Sequence, residues 1–233
     1  MKARSEESPI VLIVEDEPQI RRLLRVCLER NDYRVVEAAS GEEGITRAIE
    51  HQPQVILLDL GLPDIDGIMV LKRIREWSEV PILVVTVRNR EDEKIRALDS
   101  GANDYITKPF STGELLARLR VARRSMRQPP NQTTFNSGEL EVDLAGRTVK
   151  VKGEPVRLTA TEYSLLHLFV QHAGKVLTHR QLLREIWGSE EEHKTGPLRV
   201  YMGYLREKLE QDPARPKLLL TEPGIGYRLA LLD

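Results

Sequence analysis

Between residues 10 and 124 the chain alternates five times between a short apolar run and a stretch of helical periodicity, and this constrains its fold more than any other feature. The runs IVLIV, YRVVEAA, QVILLDL, PILVVTV and DYIT read as strands, continuously apolar rather than alternating, which suits a sheet covered on both faces. The stretches PQIRRLLRVCLERN, GEEGITRAIEH, GIMVLKRIREW, EDEKIRALDSG and STGELLARLRVARR read as helices. Five strands alternating with five helices predict an α/β unit with a doubly wound parallel sheet.

Acids leave the ends of these strands. The first run ends in Glu15 and Asp16, the third in Asp59. In the flavodoxin-like strand order, 2-1-3-4-5, the first and third strands are neighbours, and ligands bind outside the carboxyl ends of the strands at that point. Taken alone, Asp59 reads first as a turn or cap carboxylate. Three converging carboxylates repel one another unless a hard divalent cation with oxygen ligands neutralises them, and Mg²⁺ suits such an open site. Thr86 and Lys108, followed by Pro109, end the fourth and fifth strands and bring a hydroxyl and an ammonium to the same rim. Lys108 by itself is an ordinary surface lysine. Together these groups would accommodate a phosphoryl group on Asp59.

Bulk composition excludes several classes. Net charge is −1, with 35 basic and 36 acidic residues, so nucleic-acid binding has to come from a local surface. No apolar run approaches the ~20 residues that span a bilayer. The start, MKARSEESP, has no apolar signal core, and Cys27 is a lone cysteine on an apolar helix face. A cytoplasmic protein without membrane partners is expected.

Glu15-Asp16, Asp59, Thr86 and the DYITKPF run resemble the signature of bacterial two-component receiver domains, with their flavodoxin-like (CheY-like) (βα)5 fold. The resemblance implies that Asp59 accepts phosphate from a sensor histidine kinase, and that Glu15, Asp16, Asp59 and the Gly61 carbonyl hold Mg²⁺. It also implies that Lys108 contacts the phosphoryl group, that the Lys108-Pro109 bond is cis, and that Thr86 and Tyr105 reorient together. Val87 stands where the family often has alanine or glycine. Lys94, Asp99, Asp104, Glu114, Arg118 and Arg123 read blandly as a solvated charged face. In the family's transcription-factor branch such residues bridge two receivers in a homodimer, although Asn103 replaces an acid common there. A magnesium-dependent aspartyl phosphatase is the competing class, but it usually needs a second acid at position 61, where this chain has glycine.

The receiver is expected over residues 1–124, a polar, proline-containing linker over 125–134, and an α+β effector over 135–233. Beyond the linker ELEVDL, RTVKVKG and EPVRL alternate in strand fashion, and TATEYSLLHLFVQHAG begins with capping-box spacing. THRQLLREIWG and GPLRVYMGYLREKLEQ read as two further helices. In the latter, Leu198, Met202, Leu205 and Leu209 make a core stripe. The far side offers Arg199, Tyr201, Gly203, Tyr204 and Arg206, residue types that contact phosphates and bases. Without other context this is simply an amphipathic helix. A hairpin over KLLLTEPGIGYRLALL, carrying Arg228, completes a winged helix-turn-helix layout.

LTATEYSLL, GKVLTHRQLL, YLREKLE and GIGYRL resemble the OmpR/PhoB effector domain. That likeness implies promoter DNA as a partner, with the last helix in the major groove and Arg228 in the minor groove. The same likeness implies an RNA polymerase contact for the loop over 188–193, which read by itself is a solvated acidic loop. YMGYLREKLEQDPARP and TEPGIGYR further resemble a branch of the family that controls a potassium-transport operon.

Overall fold

The computed structural model describes residues 8–87, 91–126, 134–188 and 195–232. The chain divides into two compact units, 1–126 and 127–233.

In the first unit the strands are β1 (Ile10–Val14), β2 (Arg34–Ala38), β3 (Val55–Leu58), β4 (Ile82–Thr86) and β5 (Asp104–Thr107). They form one parallel sheet in the order β2-β1-β3-β4-β5. The helices are α1 (Pro18–Glu29), α2 (Gly41–His51), α3 (Gly67–Arg75), α4 (Glu91–Asp99) and α5 (Thr112–Met126). Pro18 opens α1, where its missing N–H costs nothing. Alternate residues of the central strands, Val11, Ile13, Val55, Leu57, Leu83 and Val85, pack with Leu24 and Leu28 of α1 and Leu115 and Leu119 of α5. The intervening Leu12, Ile56, Leu58 and Val84 are equally buried and face the opposite side by the pleat. This two-sided burial is why the strand runs show no polar alternation.

The second unit begins with an antiparallel sheet of β6 (Thr134–Ser137), β7 (Leu140–Asp143), β8 (Thr148–Val151) and β9 (Glu154–Pro155). Three helices follow, α6 (Ala160–Gln171), α7 (His179–Trp187) and α8 (Thr195–Leu209). Strand β10 (Val176–Thr178) joins the terminal hairpin of β11 (Leu219–Glu222) and β12 (Gly226–Leu229) in a sheet ordered β10-β12-β11. Phe135, Leu140, Leu166, Phe169, Leu182, Leu198, Leu205 and Leu229 lie in a single core that joins both sheets to all three helices. Helices α6 and α7 each start on a full capping box, Thr159 with Glu162 and Thr178 with Gln181.

Two strands were not anticipated. Thr134, assigned to the linker, opens β6, and α5 continues to Met126, past the expected linker start. Strand β10 is only three residues long and pairs with β12, whose Arg228 stands opposite its Val176. Gly226 permits this approach, because a Cβ there would sit 1.9 Å from the Leu177 carbonyl oxygen.

Candidate functional site

Strands β1 and β3 are paired with Val14 opposite Leu58, so the acids that follow them emerge side by side. One oxygen from each of Glu15, Asp16 and Asp59 lies within 4.8 Å of the others. Glu15 and Asp59 are 1% and 5% exposed. The Asp59 N–H donates to the Val14 carbonyl at 2.9 Å, and Asp59 Oδ1 accepts the Gly61 N–H at 3.1 Å. Lys108 Nζ reaches in from the end of β5, donating to Asp59 Oδ2 at 2.6 Å and Glu15 Oε2 at 2.7 Å. The Lys108-Pro109 peptide is cis, as the family likeness implied.

Burial pushes the Glu15 carboxyl up to about 7; the Lys108 hydrogen bond opposes that rise and the Asp59 charge adds to it. Burial alone would lower the Lys108 ammonium, but its bonds to Asp59 and Glu15 hold it above the usual lysine value. The lysine is therefore charged and already neutralises part of the crevice. The three carboxylates form an oxygen-only set, the donor chemistry a hard cation requires.

Thr86, 2% exposed, ends β4 at the same rim, and its carbonyl accepts the Lys108 N–H at 2.9 Å. Tyr105 stands opposite Val84, half-buried, with the Lys94 ammonium 4.9 Å from its ring centre. Position 61 presents a backbone N–H to Asp59 rather than a second acid, which disfavours the phosphatase alternative.

Three further residues shape this crevice without having been anticipated. Arg21 Nη1 donates to the carbonyls of Glu15 at 2.6 Å and Asp16 at 3.1 Å, fixing the acidic loop. The Asp64 carboxylate caps α2, accepting from Gly41 N at 2.8 Å and Glu42 N at 2.9 Å. Gly67 lets α3 close onto the acceptor loop, because a Cβ there would meet the Asp59 carbonyl oxygen at 2.4 Å. Arg21 and Asp64 act on backbone groups of other segments, so periodicity does not reveal them. A glycine opening a helix is the one signal for Gly67.

On the face formed by α4, β5 and α5, the anticipated charges pair within the chain. Arg118 Nη1 bonds both oxygens of Asp104, at 2.9 and 2.8 Å, and its Nε reaches Glu114 at 3.2 Å. Asp99 is half-buried, and Arg123 lies over the Tyr33 ring at 5.6 Å. Asn103 is buried and structural: its Oδ1 accepts from Arg75 Nη2 and the Ile82 N–H, each at 3.0 Å.

In α8 the stripe Leu198, Met202, Leu205 and Leu209 is buried as read. Arg199 and Tyr204 are exposed, and open space surrounds Gly203. The other three anticipated DNA contacts are engaged inside the domain. Tyr201 is half-buried and packs on Trp187, with ring centres 5.6 Å apart. Arg206 donates to the Leu219 carbonyl at 2.6 Å and Thr221 Oγ1 at 2.7 Å. Arg228 is 7% exposed, with its Nε 3.0 Å from Glu222 Oε1. Tyr201 and Arg206 border the buried stripe, and Arg228 belongs to the central strand of a sheet whose third member was not foreseen. The loop over 189–193 lies outside the described residues.

An acid-lined crevice built around one aspartate, carried on the same chain as a winged helix, defines a phosphorylation-dependent transcriptional regulator. Residues 11–120 match the response regulator receiver domain, and residues 153–229 match the C-terminal domain of transcriptional regulatory proteins. The chain belongs to the OmpR/PhoB family of two-component response regulators. It is 50% identical to the KDP operon transcriptional regulatory protein KdpE of Escherichia coli over 95% of this chain and 99% of that protein. It is 45% identical to KdpE of Mycobacterium tuberculosis, over 94% and 98% of the two chains. Among solved structures, the receiver domain of the Francisella response regulator 1452 matches 52% of this chain and all of its own, at a TM-score of 0.50 and 30% identity. Membership of the family carries with it a sensor histidine kinase and promoter DNA as partners. Among the described residues no helix is long and apolar enough to cross a membrane.

Proposed function

We propose that this cytoplasmic protein takes a phosphoryl group onto Asp59 from its sensor kinase, dimerises through its receivers, and controls a potassium-transport operon of the kdp type. The observation that carries this reading is the placement of Lys108 Nζ within hydrogen-bond reach of both Asp59 and Glu15. That ammonium lies where it can neutralise charge on phosphoryl oxygens attached to Asp59. Glu15, Asp16, Asp59 and the Gly61 carbonyl are the groups that would hold Mg²⁺, which supplies the remaining positive charge when bound. Thr86 then hydrogen-bonds the acylphosphate and draws Tyr105 with it.

The output of that switch is dimerisation. Lys94, Asp99, Asp104, Glu114, Arg118 and Arg123 form the receiver face, with the Asp104–Arg118 pair exchanging its partners for those of a second copy. Two effectors then place α8 in successive major grooves, with Arg199, Gly203 and Tyr204 foremost and Tyr201 and Arg206 supporting them. Arg228 reaches the minor groove once it leaves Glu222. RNA polymerase is the proposed partner of the loop over 188–193. The KdpE relatives support the choice of operon.

The test uses the full chain and a fragment of kdp-type promoter DNA. With a small phosphodonor and Mg²⁺, the wild type should incorporate phosphate, dimerise and bind the fragment more tightly, whereas Asp59→Ala should do none of these. Phosphodonor-stimulated binding by Asp59→Ala would refute the switch.

A further inference from the structure

Of the three acids in the crevice, two are held by several groups each. The Glu15 N–H donates to the Ala38 carbonyl at 3.1 Å, and its carboxylate accepts from the Glu17 N–H at 3.4 Å and from Lys108 at 2.7 Å. Asp59 is fixed through Val14, Gly61 and Lys108. Asp16 differs: among the described residues its one hydrogen bond is the one its carbonyl accepts from Arg21 at 3.1 Å. The helix that follows adds no anchor, since Glu17 at its N-cap makes no side-chain capping bond.

The same Arg21 Nη1 also donates to the Glu15 carbonyl, at 2.6 Å. Each carbonyl lies in the plane of its own peptide group, so the two bonds fix the planes on either side of the Asp16 Cα. Those planes together set the direction of the Cα–Cβ bond, and with it the arc the Asp16 carboxylate can reach. Arg21 is itself held in place. Its side chain is 20% exposed, and its Nε lies 3.8 Å from Glu37 Oε1 on β2, where Arg25 bonds the same carboxylate at 2.9 Å. The guanidinium is thus braced between an edge strand and the acidic loop.

We propose, on the reading of Glu15, Asp16 and Asp59 as a metal site, that Arg21 is a positioning residue for the divalent cation. It keeps the Asp16 carboxylate turned toward the other two, within the 4.8 Å cluster, although its own charge opposes the ion. These two effects have opposite signs. By Coulomb repulsion alone, loss of Arg21 tightens cation binding. Loss of the group that orients a ligand loosens it, by about 10- to 100-fold in metal sites generally.

The full chain, without phosphodonor, is titrated with Mn²⁺, which takes the same oxygen donors, and the free ion is followed by electron paramagnetic resonance. Wild type should bind Mn²⁺ in a saturable way that Asp59→Ala weakens. Arg21→Met should weaken that binding about tenfold or more while still melting cooperatively. Asp16→Asn should cost less affinity in the Arg21→Met chain than in wild type, because both changes act through one carboxylate. Equal or tighter binding by Arg21→Met, or costs that simply add in the double variant, would overturn the proposal. So would an Arg21→Met chain that no longer folds, which would make Arg21 a residue of the fold rather than of the site. A wild type that binds no Mn²⁺ at the crevice would remove the metal reading itself, and the proposal with it.

Discussion

Lys108 touches two carboxylates that would repel each other without it. Replacing it with methionine leaves Glu15 and Asp59 buried without that cation, and breaking such a contact by deleting one partner costs about 3–5 kcal/mol. Lys108→Met should therefore lower the unfolding free energy of the receiver in urea at pH 8 by about 3 kcal/mol, and should abolish phosphate incorporation. Asp64 makes a pH-dependent prediction. Burial acts to raise its carboxyl, but hydrogen bonds from Glu42, Gly41 and neighbouring N–H groups outweigh this and hold it at about 2. A folded-state value below the unfolded one means the cap stabilises above pH about 4 and is lost as pH falls toward 2. Asp64→Asn should cost about 1 kcal/mol at pH 7 and progressively less below pH 4, as urea titrations at the two pH values would record. Asp59 and Lys108 were legible because strand ends concentrate function. Arg21 and Asp64 were not, because what they hold is the backbone of other segments, a loop five and six residues back for Arg21 and a helix start more than twenty residues back for Asp64.

At the scale of elements, α8 serves two surfaces. Its buried stripe was readable from spacing alone, since apolar residues three and four apart must share a face. Its outer face was only half readable: Tyr201 and Arg206 lie at the borders of the stripe, and the hairpin claims Arg206 through Leu219 and Thr221. Gly203 separates stability from recognition. A methyl group there meets nothing within 4 Å, so Gly203→Ala should raise unfolding free energy by about 0.5–1 kcal/mol. If the glycine exists to let DNA approach the helix backbone, the same substitution should weaken promoter binding in a fluorescence-anisotropy titration. Strand β10 escaped the sequence for a different reason. Three residues carry too little periodicity, and its partner lies some fifty positions away across two helices.

At the scale of the molecule, each unit owns a closed hydrophobic core, one around the parallel sheet and one around α6 to α8. Residues 127–233 alone should therefore unfold cooperatively in urea and bind the promoter fragment to the same extent with and without phosphodonor. A fragment that fails to fold, followed by circular dichroism, would show instead that the effector depends on the receiver. The two-unit plan was legible because the hydrophobic pattern changes from continuous runs to alternation across a proline-containing stretch. The boundary was not, because α5 and β6 extend into that stretch from either side.

Asp59 is only 5% exposed. Incoming phosphodonor and the water that later removes the group share the little access this burial leaves. Loading and decay are then two rates set by a common aperture, and a side chain at its edge acts on both. Val87, 62% exposed, directly follows Thr86 at the end of β4, and is the residue expected to narrow that access. Val87→Ala should quicken acylphosphate formation and hydrolysis together, leaving the fraction of charged protein under steady donor nearly constant while the memory of each signal grows shorter.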